Sequence, residues 1–167
     1  RFQDTMGFTV AGAGRFLASG HPDIQDEELR APGKPPLLGL IESRDAAVTW
    51  SSLSLLGDVD FHALAAAHGR VYGADATGGR FMVTEDRRQW ETRSQVQLLS
   101  FAVSPQSPDA VVAATEQGVV ASTDGGRTWS PQSGAPPVMW PGWGTSGLWG
   151  VTGSSELFRR ADGAAWT

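Results

Sequence analysis

The 167-residue chain has no cysteine, which excludes a disulfide framework and any thiolate metal site and leaves its redox compartment unreadable. Asparagine is missing as well, so there is no acceptor for N-glycosylation. Lysine occurs once, at Lys34, against twelve arginines, a skew that fits genomic base bias. Basic runs are lacking too: thirteen Lys plus Arg stand against eighteen Asp plus Glu, net charge -5, which argues against a nucleic-acid partner. The longest apolar runs, such as residues 63–67, fall far short of the roughly 20 residues that cross a bilayer, so no transmembrane segment is expected. The chain opens at Arg1 without a signal-like stretch and closes at Thr167 just after a tryptophan, which reads as a piece of something longer.

What is present is apolar mass and turn formers. With 40% hydrophobic residues the chain can fill a core, and 21 Gly, 10 Pro and 7 Trp point to many turns and a repeated aromatic device. The repeat is visible. Ser122-Thr123-Asp124-Gly125-Gly126-Arg127-Thr128-Trp129 has weaker copies at Asp45 to Trp50, Asp86 to Trp90 and Asp162 to Trp166, with the aspartates 41, 38 and 38 residues apart. A second column, ending on Ala18, Gly73, Ala113 and Gly150, aligns as one short strand, and its small residues suggest crowding where strands of neighbouring units converge. The first repeat carries an insertion of about fifteen residues, 21–36, rich in proline and charge and suited to a stiff lid or rim.

Each repeat reads as four short strands bounded by Gly, Pro, Asp or Ser, an all-β pattern with approximate units 1–56, 57–95, 96–134 and 135–167, the last incomplete. An Asp followed by Gly-Gly accepts hydrogen bonds from the amides ahead of it while glycine takes positive φ. The Trp then opens the outermost strand and lays its face on the unit beneath, with its indole N–H expected to meet a rim carbonyl. Asp45, Trp50, Asp86, Trp90, Asp124, Trp129, Asp162 and Trp166 are therefore read as structural.

At these residues the chain resembles the Asp-box (BNR) repeat proteins, a β-propeller superfamily that includes sialidases, sortilin-type receptor domains and photosystem assembly factors. The stretches 3–8, 20–23 and 60–64 resemble a bacterial secreted or lipid-anchored branch labelled glycosyl hydrolase or exo-sialidase-like. The resemblance runs over essentially the whole chain. It implies four antiparallel four-stranded blades within a closed ring of six or more, with about one blade before Arg1 and two or so after Thr167. It also implies an extracellular, periplasmic or lipid-anchored location.

In a propeller the aspartate turns share one face, and the opposite, channel face receives His21, Asp23, Asp60, His62, Asp75 and Glu116. These are the candidate binding residues, for a divalent cation or an anionic sugar, although no H-E-x-x-H or similar spacing supports a metal. No catalytic residue is assigned. A sialidase would use an exposed Tyr with a carboxylate partner and three arginines on the sugar carboxylate. Tyr72, the sole tyrosine, sits in a packing column, most arginines fall on the aspartate-turn face, and no Arg-Ile-Pro motif occurs. The G-x-S-x-G elbow and phosphate loops are absent. Trp140, Trp143 and Trp149 cluster near Pro141, where packing and sugar stacking both remain open. The expectation is a non-catalytic binding or assembly scaffold for a protein, peptide or glycan. The alternative is a divergent exo-sialidase-like glycoside hydrolase.

Overall fold

A computed structural model describes residues 3–144, 147–161 and 164–167. The first sheet holds β1 (Asp4–Gly12), β2 (Arg15–His21), β3 (Leu40–Ser43) and β4 (Ser51–Ser54), the second β5 (Phe61–Ala67), β6 (Arg70–Asp75), β7 (Arg80–Thr84) and β8 (Glu91–Gln95). The third holds β9 (Ser100–Val103), β10 (Val111–Thr115), β11 (Gly118–Ser122) and β12 (Ser130–Pro131). The fourth holds β13 (Val138–Gly144), β14 (Gly147–Thr152) and β15 (Leu157–Arg160). All pairs are antiparallel and each sheet keeps chain order, the blade topology expected from the repeat. Thr167 exchanges both backbone hydrogen bonds with Arg159 at 2.8 Å, so a fourth strand begins in the last blade.

Alternation sends the residues of each strand to opposite neighbours. Leu17 and Leu40 pack with Val71 and Trp90 at the first joint. Tyr72, Phe81 and Val83 meet Phe101, Val111 and Ala113 at the second, and Val112 and Val119 meet Val138 and Leu148 at the third. Tyr72 is fully buried and donates its hydroxyl to the Pro108 carbonyl at 3.0 Å, which confirms it as a packing residue. The two outermost faces stay exposed, with Met6, Phe8 and Val10 on β1 and Trp140, Trp149 and Leu157 on the fourth blade. Trp143, by contrast, packs into the third joint.

The aspartate turns form as the residue types dictate. Asp124 Oδ1 accepts from the Ser122 hydroxyl at 2.7 Å and the amides of Arg127 and Thr128 at 3.0 and 2.9 Å, while Oδ2 accepts from the Thr128 hydroxyl at 2.6 Å. Asp45 repeats this with Ser43 and Thr49, and Asp86 with Thr84 and the amides of Arg88 and Gln89. Where Gly125 and Gly126 take φ of 71° and 89°, Ala46, Ala47 and Arg87 hold 58°, 71° and 64° in the weaker copies. Asp162 lies outside the described residues. The tryptophans differ from expectation: the Trp90 indole N–H donates to Ser54 Oγ at 3.0 Å and that of Trp129 to Ser94 Oγ at 2.9 Å, hydroxyls on the outermost strand of the preceding blade rather than carbonyls. Trp166 is half-buried at the third joint.

These bonds depress the carboxyls. Hydrogen bonding from the Thr49 hydroxyl and then the Thr49 amide holds Asp45 down to about 2, and Thr128 acts likewise on Asp124. A carboxyl depressed on folding stabilises above its unfolded value, about 3.9 for Asp, and that contribution disappears as pH falls through the folded value. The expected result is an Asp45 midpoint of about 2 in a carboxyl-carbon NMR titration, with the turns intact at pH 5. A midpoint near 4 would show that the turn bonds do not persist in solution.

Two expectations need correction. At its two glycines the small column is crowded from within its own blade, since a Cβ on Gly73 would overlap the Phe61 ring and one on Gly150 the Val138 side chain, whereas Ala113 packs against the neighbouring blade at the second joint. The insertion, which includes a 3-10 turn at Glu27–Leu29, is no free-standing lid. Leu29 is buried with Ala18, Leu38 and Ile41, against which Trp50 packs, so the segment folds onto the side of the first blade to cover apolar surface.

Candidate functional site

The site expected on the channel face is assembled where the first two blades meet. His21 ends β2, Asp60 lies just before β5, His62 is its second residue and Asp75 ends β6. The Phe61 amide donates to Ser19 Oγ on β2 at 2.9 Å, and the Ala76 amide to the Asp60 carbonyl at 2.9 Å, which fixes the entry to β5.

Asp60 is 4% exposed. Its Oδ2 lies 2.9 Å from His62 Nε2 and 3.6 Å from His21 Nε2, while Oδ1 is buried without a hydrogen-bond partner. The first distance is a hydrogen bond; the second is an ion-pair separation only. Both imidazoles are about two-fifths exposed, at 37% and 42%. With Nε2 turned inward on the carboxylate, each ring directs its other nitrogen, Nδ1, away from it. Asp75, whose side chain is fully buried, receives Arg80 Nε and Nη2 on Oδ2 at 2.8 and 2.7 Å and the amides of Thr77 and Asp60 on Oδ1 at 3.2 and 3.4 Å.

Four of the six expected residues thus converge: His21, Asp60 and His62 directly, and Asp75 through the Asp60 backbone. Asp23 is held in the insertion, its amide on Gln3 Oε1 at 2.7 Å and its Oδ1 on the Gln25 amide at 2.9 Å. Glu116 stands apart, in the β10–β11 turn, beside a cleft of about 400 Å³ lined by Leu99, Val138 and Met139. His68, in a turn, is satisfied by the Ser104 carbonyl at 2.7 Å. Among the described residues no group of three or more His, Asp or Glu is arranged to hold a metal ion. Asp60 Oδ2 itself occupies the point on which the two Nε2 atoms converge. Sequence reasoning missed Arg80 and Ser19. Arg80 had a signal, because the tight Thr77-Gly78-Gly79 turn sets it opposite Asp75 in the β6–β7 register.

Solved structures share the fold of these blades. The chain superimposes on YCF48 bound to D1 peptide with a TM-score of 0.64 and 15% identity, covering 98% of this chain and 54% of that one. It matches the GH74 enzyme of Niastella koreensis at 0.63 and 11%, and the GH74 xyloglucanase of Xanthomonas campestris at 0.61 and 18%. This fold is a β-propeller. At these identities the likeness shows the fold alone, and the chain spans about half of the YCF48 chain and about a quarter of each GH74 chain. No protein-family model and no curated protein matches the sequence. Among the described residues of this propeller arc, no helix is long and apolar enough to cross a membrane.

Proposed function

We propose that the chain is part of an exported, non-catalytic binding scaffold of the Asp-box propeller type. Its partner, a peptide, protein or glycan, docks on the channel face at His21 and His62. The observation that carries this reading is the buried Asp60 carboxylate with two half-exposed imidazoles on one oxygen. A rigid blade joint presents two rings whose outer nitrogens are directed away from Asp60, the kind of small, fixed polar constellation that orients a ligand. That YCF48, a propeller of similar fold, is seen with a peptide supports the same use of the fold. Hydrolysis of a glycoside calls for two carboxyl groups facing the sugar. Here Asp60 and Asp75 are both buried and engaged, by histidine and by Arg80, so neither is free to face a sugar, and a hydrolase would have to draw its pair from Glu116 and from outside this chain.

The test is a screen of a displayed 12-residue peptide library and a glycan array against the chain and its His21→Ala/His62→Ala variant. Ligands selected by the parent are expected to lose about tenfold or more in affinity on the variant, the loss of one or two hydrogen bonds, while its melting temperature falls because the buried Asp60 loses its imidazole partners and its circular dichroism remains that of the folded chain. Ligands that bind the folded variant equally well would remove the site.

A further inference from the structure

We infer that the opposite, aspartate-turn face carries a second site, which takes a carboxylate of an acidic peptide between Arg15, Arg44 and Arg87. Three guanidinium groups from two blades converge on one carboxylate: Arg15 Nε and Arg44 Nε reach Glu42 Oε1 and Oε2 at 2.5 Å, and Arg87 Nη1 reaches Oε1 at 3.2 Å. Glu42 has a side chain only 1% exposed, whereas the three arginines are exposed at 38%, 72% and 28%. Burial alone would raise the Glu42 carboxyl, but the hydrogen bonds from Arg15 and Arg44 prevail and hold it below its usual range, so it stays ionised. One negative charge thus anchors three positive ones, and the remaining fork donors of the guanidiniums are left for an outside acceptor.

These groups border a cleft of about 190 Å³, with Leu53 as an apolar wall and Arg88 as a fourth cation. The acidic residues facing it are already engaged. Glu85 pairs with Arg70 at 3.0 Å, and Asp86 accepts from its own turn. Their charges nonetheless oppose a dianion, which favours a singly charged, planar carboxylate matched to the guanidinium fork over a phosphate. In a chain of net charge -5 this is a local reversal of sign, and it gives an acidic partner a place to dock.

The experiment follows the arginine Nε–H signals of the chain by NMR during titration with a Glu-rich, terminally capped peptide and, separately, with inorganic phosphate at constant ionic strength. Saturable shifts centred on Arg15, Arg44 and Arg87 with the peptide are expected, weakened about tenfold by Arg44→Gln, a change at an exposed side chain that leaves the fold intact. His21→Ala/His62→Ala is expected to leave these shifts unchanged, which separates this site from the channel-face one. Absence of peptide shifts, shifts that Arg44→Gln does not weaken, or binding of phosphate without peptide would each overturn the assignment.

Discussion

Phe81→Ala is expected to remove about 3–5 kcal/mol of folding stability, the range for a buried aromatic truncated in a core that cannot collapse around the gap. Phe81 is fully buried at the second joint and meets Phe101 and Trp129 edge-on, with ring centroids 5.2 and 5.3 Å apart. A Cβ on Gly126 would overlap the same ring, so the aspartate turn of the third blade closes over it. The loss therefore strikes two blades and a turn together. Against a typical total of about 5–15 kcal/mol this is a large share of the stability, which urea denaturation followed by tryptophan fluorescence will read. A loss below about 1 kcal/mol would mean that the blades do not share this core.

The second large effect is expected at Asp75. Its fully buried side chain holds Arg80 and caps the amides of Asp60 and Thr77, so Asp75→Ala leaves a guanidinium uncompensated and two amides without an acceptor. Breaking such a pair from one side costs about 3–5 kcal/mol. Adding Arg80→Ala is expected to return part of that loss, because the stranded charge goes with it. The double-mutant cycle, measured by denaturant melts, separates the pair from the backbone caps. Additive losses would show that Arg80 and Asp75 act independently.

The architecture was legible because it is written in short-range chemistry. Asp124 with Ser122 and Thr128 builds its own hairpin, and one well-formed copy identified the degraded ones at Asp45 and Asp86, down to a turn where Ala46 and Ala47 hold positive φ. The convergence of His21, Asp60, His62 and Asp75 was legible at the level of faces, since strand ends of adjacent blades place them together. What escaped the sequence were relations between side chains far apart along it. That Trp90 would find Ser54, that Leu29 would seal the side of its own blade, and that Arg87 would join Arg15 on Glu42 depend on joint geometry and not on any local signal. Glu116 was grouped with the histidines because face assignment fixes height along the axis but not position around it.

The indole bonds run one way only: Trp90 reaches back to Ser54 and Trp129 back to Ser94, each to the strand that its predecessor completes last. A blade consequently finds its anchoring hydroxyl ready when the one before it has finished folding. Such a polarity suits growth from the ribosome, where earlier segments emerge first and offer a finished template to those that follow.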